Sequence, residues 1–260
     1  MRLLLPELHG RPSTSVAHHL RSRSRPHEVV IRAVLFDWGD TLFGKPVAPD
    51  LMVEAARERG VGLDRATAER VWRDLWAASQ TAEEHAKGRD LSVEAHREVW
   101  TALLRRADAL VPGIAEVLYE RVMDPANWRP YDDTEATLRA LRARGLKIGV
   151  VSNVPGDLRP IFARYGLADL VDAYALSVEH GVAKPDPALF VAACRELGTE
   201  PRETLMVGDD PVSDGGAARA GLQVHLLPPD GTGRTRGLGA VVELVDRARK
   251  SAGGAAWPGT

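Results

Sequence analysis

Val29-Val30-Ile31-Arg32-Ala33-Val34-Leu35-Phe36 leads without a break into Asp37-Trp38-Gly39-Asp40-Thr41-Leu42. The first half is apolar except at Arg32 and rich in β-branched side chains, so it reads as a strand. A strand with one wet face alternates polar and apolar residues. A near-continuous apolar run instead fits a strand covered on both faces, as in a parallel sheet. Working outward, comparable runs recur at 146–151, 173–176, 204–207 and 222–227, with helical patterns between them. Asp132 or Asp133 is placed to cap a helix carrying Leu138 and Leu141, which Gly145 ends. Asp186 caps and Pro187 opens the next helix, which stops near Gly198. A last helix is expected over 238–249. Strands alternating with helices predict an α/β fold with a doubly wound, Rossmann-like parallel sheet.

Residues 46–129 break the alternation. They read as helices only, starting near Asp50, Asp64, Ser92 and Pro112, and predict a small helical domain inserted after the first strand. Val71, Trp72, Leu75 and Trp76 recur at helical spacing, as do His96, Trp100, Leu103 and Leu104. Large aromatics at such spacing most often pack a helical core. The core domain is then expected over 29–45 and 130–248. Residues 1–28, rich in Arg, His and Ser and nearly without acids, read as a disordered extension, and 249–260 as a flexible tail.

At 260 residues with a formal net charge of -2, the chain has no bulk attraction for nucleic acid or anionic membrane. Its single cysteine, Cys194, excludes an intrachain disulfide and sits in an apolar run that suits a buried thiol. A cytoplasmic location fits that usage. No apolar run is long enough to span a bilayer. The histidines show no metal-ligand spacing; His180 alone, four residues before Lys184, is near enough in sequence to reach a site there.

Polar signals follow four of the predicted elements: Asp37-Trp38-Gly39-Asp40-Thr41, Ser152-Asn153, Lys184 within Gly181-Val182-Ala183-Lys184-Pro185-Asp186-Pro187, and Gly208-Asp209-Asp210-Pro211-Val212-Ser213-Asp214. In an open parallel sheet, ligands bind beyond the carboxyl ends of the strands, where these loops would converge. Each alone is ordinary: an Asp capping a turn, a Ser-Asn turn, a solvated Lys-Pro, a Gly-Asp-Asp turn. Together they form a chemistry. A carboxylate can attack phosphorus and form an acyl phosphate. Anion attacking anion requires positive charge, which Lys184 supplies. The further carboxylates Asp209 and Asp214 call for Mg²⁺, which prefers oxygen ligands and phosphate.

The set, in this order, resembles the haloacid dehalogenase-like (HAD) superfamily of hydrolases, in the subfamily with a helical cap after the first motif. The likeness spans about 29–248. Tyr131 to Leu141 and Lys184-Pro185-Asp186-Pro187 also resemble the phosphoglycolate phosphatase-like branch. The resemblance implies a phosphatase of small phosphorylated metabolites, working through an aspartyl phosphate. Asp37 would be nucleophile and Mg²⁺ ligand, joined at the metal by the Gly39 carbonyl and Asp209, with Asp214 acting directly or through water. Ser152, Asn153 and Lys184 would bind the phosphoryl group, and Thr41 would hold the first loop. Expected partners are a small phosphorylated substrate and at most a second copy of the chain, as a monomer or homodimer, with no nucleic acid and no membrane.

One departure matters. Phosphatases of this family carry a second Asp, the general acid and base, two residues after the nucleophile. Here that position is Gly39, and Asp40 comes one residue later. Either Asp40 substitutes as acid/base or it merely caps the loop. The substitution keeps two alternatives open: a 2-haloacid dehalogenase, whose halide leaves without a proton, and a catalytically weak binding or regulatory protein. A response-regulator receiver is disfavoured, because there the acidic pair comes first in the chain and the lysine last.

Overall fold

The computed structural model describes residues 30–228 and 233–253. The extension expected over 1–28 lies outside them, as does the end of the expected tail. Strand β1 (Ala33–Phe36) is shorter than the apolar run that contains it. It is flanked on both sides, pairing in parallel with 147–150 and with 204–207, and its length is set by those shared registers.

After β1 comes β2 (Phe43–Gly44), then five helices: α1 (Ala48–Glu58), α2 (Arg65–Ser79), α3 (Ala82–Ala86), α4 (Val93–Leu104) and α5 (Ile114–Met123). The chain returns through β3 (Arg129–Pro130), which pairs antiparallel with β2 and clasps the insertion at its base. Asp64, Thr81 and Ser92 accept the third backbone N–H of α2, α3 and α4, the capping chemistry their side chains favour. Helix α3 and the β2–β3 clasp were not legible as periodic pattern, being five and two residues long. The insertion has its own core, with Met52, Leu75, Leu104, Ile114 and Leu118 buried together.

The alternating pattern then resumes: α6 (Thr134–Ala143), β4 (Lys147–Ser152), α7 (Arg159–Arg164), β5 (Ala173–Leu176), α8 (Ser177–His180), α9 (Pro187–Leu197), β6 (Thr204–Gly208), β7 (Gln223–Leu226) and α10 (Gly239–Gly253). Asp186 caps α9 as expected. Asp133 stands at the cap position of α6 but makes no side-chain cap there. Its carboxylate accepts the backbone N–H groups of Arg236, Gly237 and Leu238, tying a distant loop to the helix. Helix α10 runs through 249 to Gly253, so the expected tail begins as helix.

The sheet order is β5-β4-β1-β6-β7, all parallel. Alternate residues of each strand face opposite layers. Val34, Phe36, Ile148, Val150, Leu205 and Val207 pack toward α6, α7 and α10. Ala33, Leu35, Val151 and Met206 pack against Leu189, Phe190 and Cys194 of α9. The chain moves outward from β1 on one side through β4 and β5, then crosses back to β6 and β7. That reversal makes the carboxyl ends of β4, β1 and β6 a switch point, where a crevice opens. No helix among the described residues is long and apolar enough to cross a membrane.

Candidate active site

The carboxyl ends of β1, β4 and β6 deliver Asp37, Ser152 and Asp209 to one place, and the loop before α9 brings Lys184. Asp37 Oδ1 accepts from Ser152 Oγ at 3.0 Å and from Lys184 Nζ at 2.7 Å. Lys184 Nζ also donates to Asp214 Oδ1 at 2.6 Å, so one buried ammonium bridges two carboxylates. Burial alone would drive Lys184 toward the neutral amine. The charges of Asp214 and Asp37 outweigh it and hold the ammonium above its ordinary pKa.

Asp214 is fully buried, and its second oxygen accepts the N–H groups of Asp209 and Asp210, each at 3.0 Å. A Cβ on Gly208 would lie 2.1 Å from that oxygen, so only glycine lets the carboxylate tuck under the strand end. Both oxygens of Asp214 are thus engaged, and it braces the Asp209 loop. Asp209 Oδ1 accepts from Thr41 Oγ1 at 3.0 Å. Burial first, and the charge of Asp37 second, push the Asp209 carboxyl up to about 6.

Oxygens of Asp37, Asp209 and Asp214 lie within 4.8 Å of one another. Three carboxylates against one lysine leave two negative charges in excess. Gly39 lines the same cleft, and no hydrogen bond to its carbonyl is found among the described residues. This donor set, all oxygen and short of positive charge, could hold a divalent cation.

The Asn153 side chain engages the lysine loop at the cleft. Its amide donates to the Lys184 carbonyl at 2.9 Å and accepts the Lys184 N–H at 2.7 Å. It positions the lysine loop, and the second hydrogen of its amide nitrogen has no partner among the described residues. Asp40 differs from a free acid. Its backbone is left-handed (φ 56°), a conformation Asp tolerates better than most residues. Its carbonyl accepts from the Arg236 guanidinium, and its carboxylate is 2.8 Å from Lys45 Nζ.

Lys45 was not read from the sequence as a site residue. It lies across a turn from Asp40, where no periodic pattern points to it. A Cβ on Gly39 would meet Lys45 Cε at 3.5 Å, so the lysine borders the space of the missing side chain. Burial would lower the pKa of Lys45, but Asp40, Asp209 and Asp37 more than offset that and raise it.

The crevice between sheet and insertion is a cleft of about 940 Å³. Asp37, Gly39, Asp40, Lys45, Ser152, Asn153, Lys184, Asp209 and Asp214 all line it. So do Trp72, Trp76 and Trp100 of the insertion and the Trp38–Trp128 pair below, stacked at 4.0 Å. His180 does not reach the cleft as its sequence position had suggested; it faces Glu196 at 3.3 Å. His85 and His96 line the cleft instead.

Comparisons with known proteins bear on this geometry. A family model described as haloacid dehalogenase-like hydrolase matches residues 31–221. The chain is 30% identical over 214 residues to haloacid dehalogenase-like hydrolase domain-containing protein 3 of Mus musculus, covering 77% of this chain and 83% of that one. It is 32% identical over 203 residues to a glyceraldehyde 3-phosphate phosphatase of Methanopyrus kandleri, covering 74% and 82%. Among solved structures, an L-2-haloacid dehalogenase from Xanthobacter autotrophicus superposes with a TM-score of 0.59 at 26% identity, covering 76% of this chain and 78% of that one.

Proposed function

Because this chain belongs to the haloacid dehalogenase-like hydrolases, we propose that it is a Mg²⁺-dependent phosphatase that passes a phosphoryl group first to Asp37 and then to water. The observation that carries the reading is the shared grip of Ser152 and Lys184 on Asp37, set beside carboxylates that leave two negative charges uncompensated. A relative named as a phosphatase supports the same direction.

In the first step the Asp37 carboxylate attacks phosphorus, the ester P–O bond breaks, and the leaving oxygen departs with the electron pair. Ser152 and Lys184 fix the carboxylate's orientation, and Lys184 offsets the repulsion between the two anions. Asp37, Asp209 and the Gly39 carbonyl would hold Mg²⁺, with Asp214 bracing the loop behind, and the ion would supply further positive charge for the phosphoryl oxygens. Water then cleaves the aspartyl phosphate, and that water must lose a proton.

Gly39 makes the second step slow. A positioned general acid or base is worth about 10²–10⁴-fold, and no side chain occupies this position. Asp40 is the replacement within reach, but its carboxylate is already paired with Lys45. With an ester whose leaving oxygen is stable as an anion, phosphorylated enzyme would therefore accumulate.

A phosphate-ester panel assayed with and without Mg²⁺ tests the reading. With p-nitrophenyl phosphate, stopped flow should show a Mg²⁺-dependent burst approaching about one product per site, then a slow steady state. Gly39 has an ordinary backbone, and a Cβ there meets its neighbours at 3.5 Å, so Gly39→Asp should fold and shrink the burst. The absence of a burst, with Asp40→Asn collapsing turnover, would assign the acid/base role to Asp40. The dehalogenase alternative draws on Gly39 and on the Xanthobacter structure. Metal-free halide release from a 2-haloacid would establish it. Failure on every ester and every haloacid would leave a binding or regulatory protein.

A further inference from the structure

Resting on the phosphatase reading, we infer that the substrate is a phosphate monoester of an aromatic alcohol, with its ring held along the tryptophan wall of the insertion and its leaving oxygen met by Lys45.

Three observations converge on this class. The first is size. A cleft of about 940 Å³ lies at the upper end of the range that encloses drug-sized ligands, far more than a three-carbon phosphate fills. The second is the wall. Trp72, Trp76 and Trp100 all face this space. Trp76 remains 38% exposed although it lies on the same helix as the fully packed Leu75. The rings of Trp72 and Trp76 are 6.4 Å apart and those of Trp76 and Trp100 6.0 Å, an aromatic row with the Arg89 guanidinium 5.1 Å from the centre of the Trp100 ring. An exposed tryptophan that packs no core has area to give to a flat ligand.

The third is the reacting end. Without a side chain at Gly39 no carboxylic acid protonates the leaving oxygen, which favours one already stable as an anion, and a phenolate or naphtholate is. Lys45 sits where that anion would form. Its Cε borders the space a Gly39 side chain would fill, and its Nζ lies 4.9 Å from the centre of the Trp76 ring. It therefore stands between the reacting loop and the aromatic wall, paired with Asp40 at 2.8 Å. The balance is complete. The P–O bond breaks, the aryl oxygen keeps the electron pair next to the Lys45 ammonium, and the phosphoryl group passes to Asp37. An alkoxide would gain the same charge contact but leaves far less readily.

The test compares 2-naphthyl phosphate with glycerol 2-phosphate on the intact protein with Mg²⁺. Wild type should favour the naphthyl ester in kcat/KM by about 10²-fold or more. Trp76→Ala should raise KM for the naphthyl ester about tenfold more than for glycerol 2-phosphate, the fold expected for one lost aromatic contact. Lys45→Gln should slow the naphthol burst about 10²-fold, with Lys45→Arg restoring part of it. Binding of 2-naphthylphosphonate, which cannot be hydrolysed, should quench tryptophan fluorescence in wild type and much less in Trp76→Ala. Equal or better turnover of the glycerol ester, or equal KM changes for both esters in Trp76→Ala, would overturn this substrate class and leave the phosphatase reading standing. Release of phosphate from neither ester would overturn both.

Discussion

The two walls of the cleft are built on different principles. On the sheet side, the polar groups that converge hold one another. Lys184 bridges Asp37 and Asp214, Asp214 holds two backbone N–H groups, Thr41 holds Asp209, and Asn153 holds the Lys184 main chain. On the helical side, three tryptophans offer faces and edges with little hydrogen bonding. Among interlocked charges in a low-dielectric setting, losing the cation is costly, because it strands the carboxylates it holds. An aromatic wall is more forgiving, since a lost ring removes contact area and, at Trp76 and Trp100, the contact with one cation. The difference assigns chemistry to the sheet side and selection to the insertion.

Substitutions on the sheet side should break the comparison hardest. Asp37→Asn should lower turnover by at least about 10⁴-fold while keeping the unfolding midpoint, because it removes a charge from a crowded acidic cluster and preserves shape. Lys184→Ala should match that loss of rate and also destabilise the protein by about 3–5 kcal/mol, leaving buried carboxylates uncompensated. Kinetics and urea unfolding on the two variants separate the outcomes, and retained activity in Asp37→Asn, once deamidation is excluded, refutes the nucleophile assignment.

A smaller effect sharpens the metal assignment. Asp209→Asn should cost about 10²-fold in rate at low Mg²⁺ and recover part of it as Mg²⁺ is raised. Asp214→Asn should not recover, because its two oxygens are taken by protein donors and its role is to hold the loop. Mg²⁺ titrations of both variants, with EDTA as the zero, decide this. Identical rescue of the two would make Asp214 a ligand.

What the sequence disclosed and what it hid follow the same divide. Apolar runs ending in Asp37, Ser152 and Asp209 announced the sheet side, because a strand buried on both faces leaves an unbroken signature and its loop is placed by topology. Lys184 was visible for its position before a helix that Asp186 caps and Pro187 opens. The engagement of Asn153 with the Lys184 main chain, 31 residues on, left no local trace. Nor did the pairing of Lys45 with Asp40, which depends on a left-handed turn and on Arg236 reaching across from 196 residues away. In α2, helical spacing grouped Trp72, Leu75 and Trp76 as one stripe. The helix turns 100° per residue, so the stripe's edge, at Trp76, leaves the core and enters the cleft. Which edge does so is decided by how the insertion sits over the sheet, and that is tertiary information.

The smallest prediction probes a histidine buried in the helical wall. His96 Nδ1 lies 2.9 Å from the Tyr119 hydroxyl, and burial, aided by the Arg89 charge, lowers its pKa to about 4. The unfolded chain binds that proton near pH 6.5. Between these values the unfolded state holds more protons than the folded one, so the penalty is absent well above pH 6.5 and grows as pH falls toward 4. From pH 7.5 to 5 it should amount to about 2 kcal/mol, an order-of-magnitude figure. His96→Gln does not titrate and keeps a group able to bond Tyr119. Urea unfolding of both proteins at the two pH values isolates the term, because every other titrating group is common to them. Wild type should lose about 2 kcal/mol more than the variant over that interval. Equal losses would mean that His96 takes its proton without cost, and that the helical wall is wetter and more yielding around α4 and α5 than its packing implies.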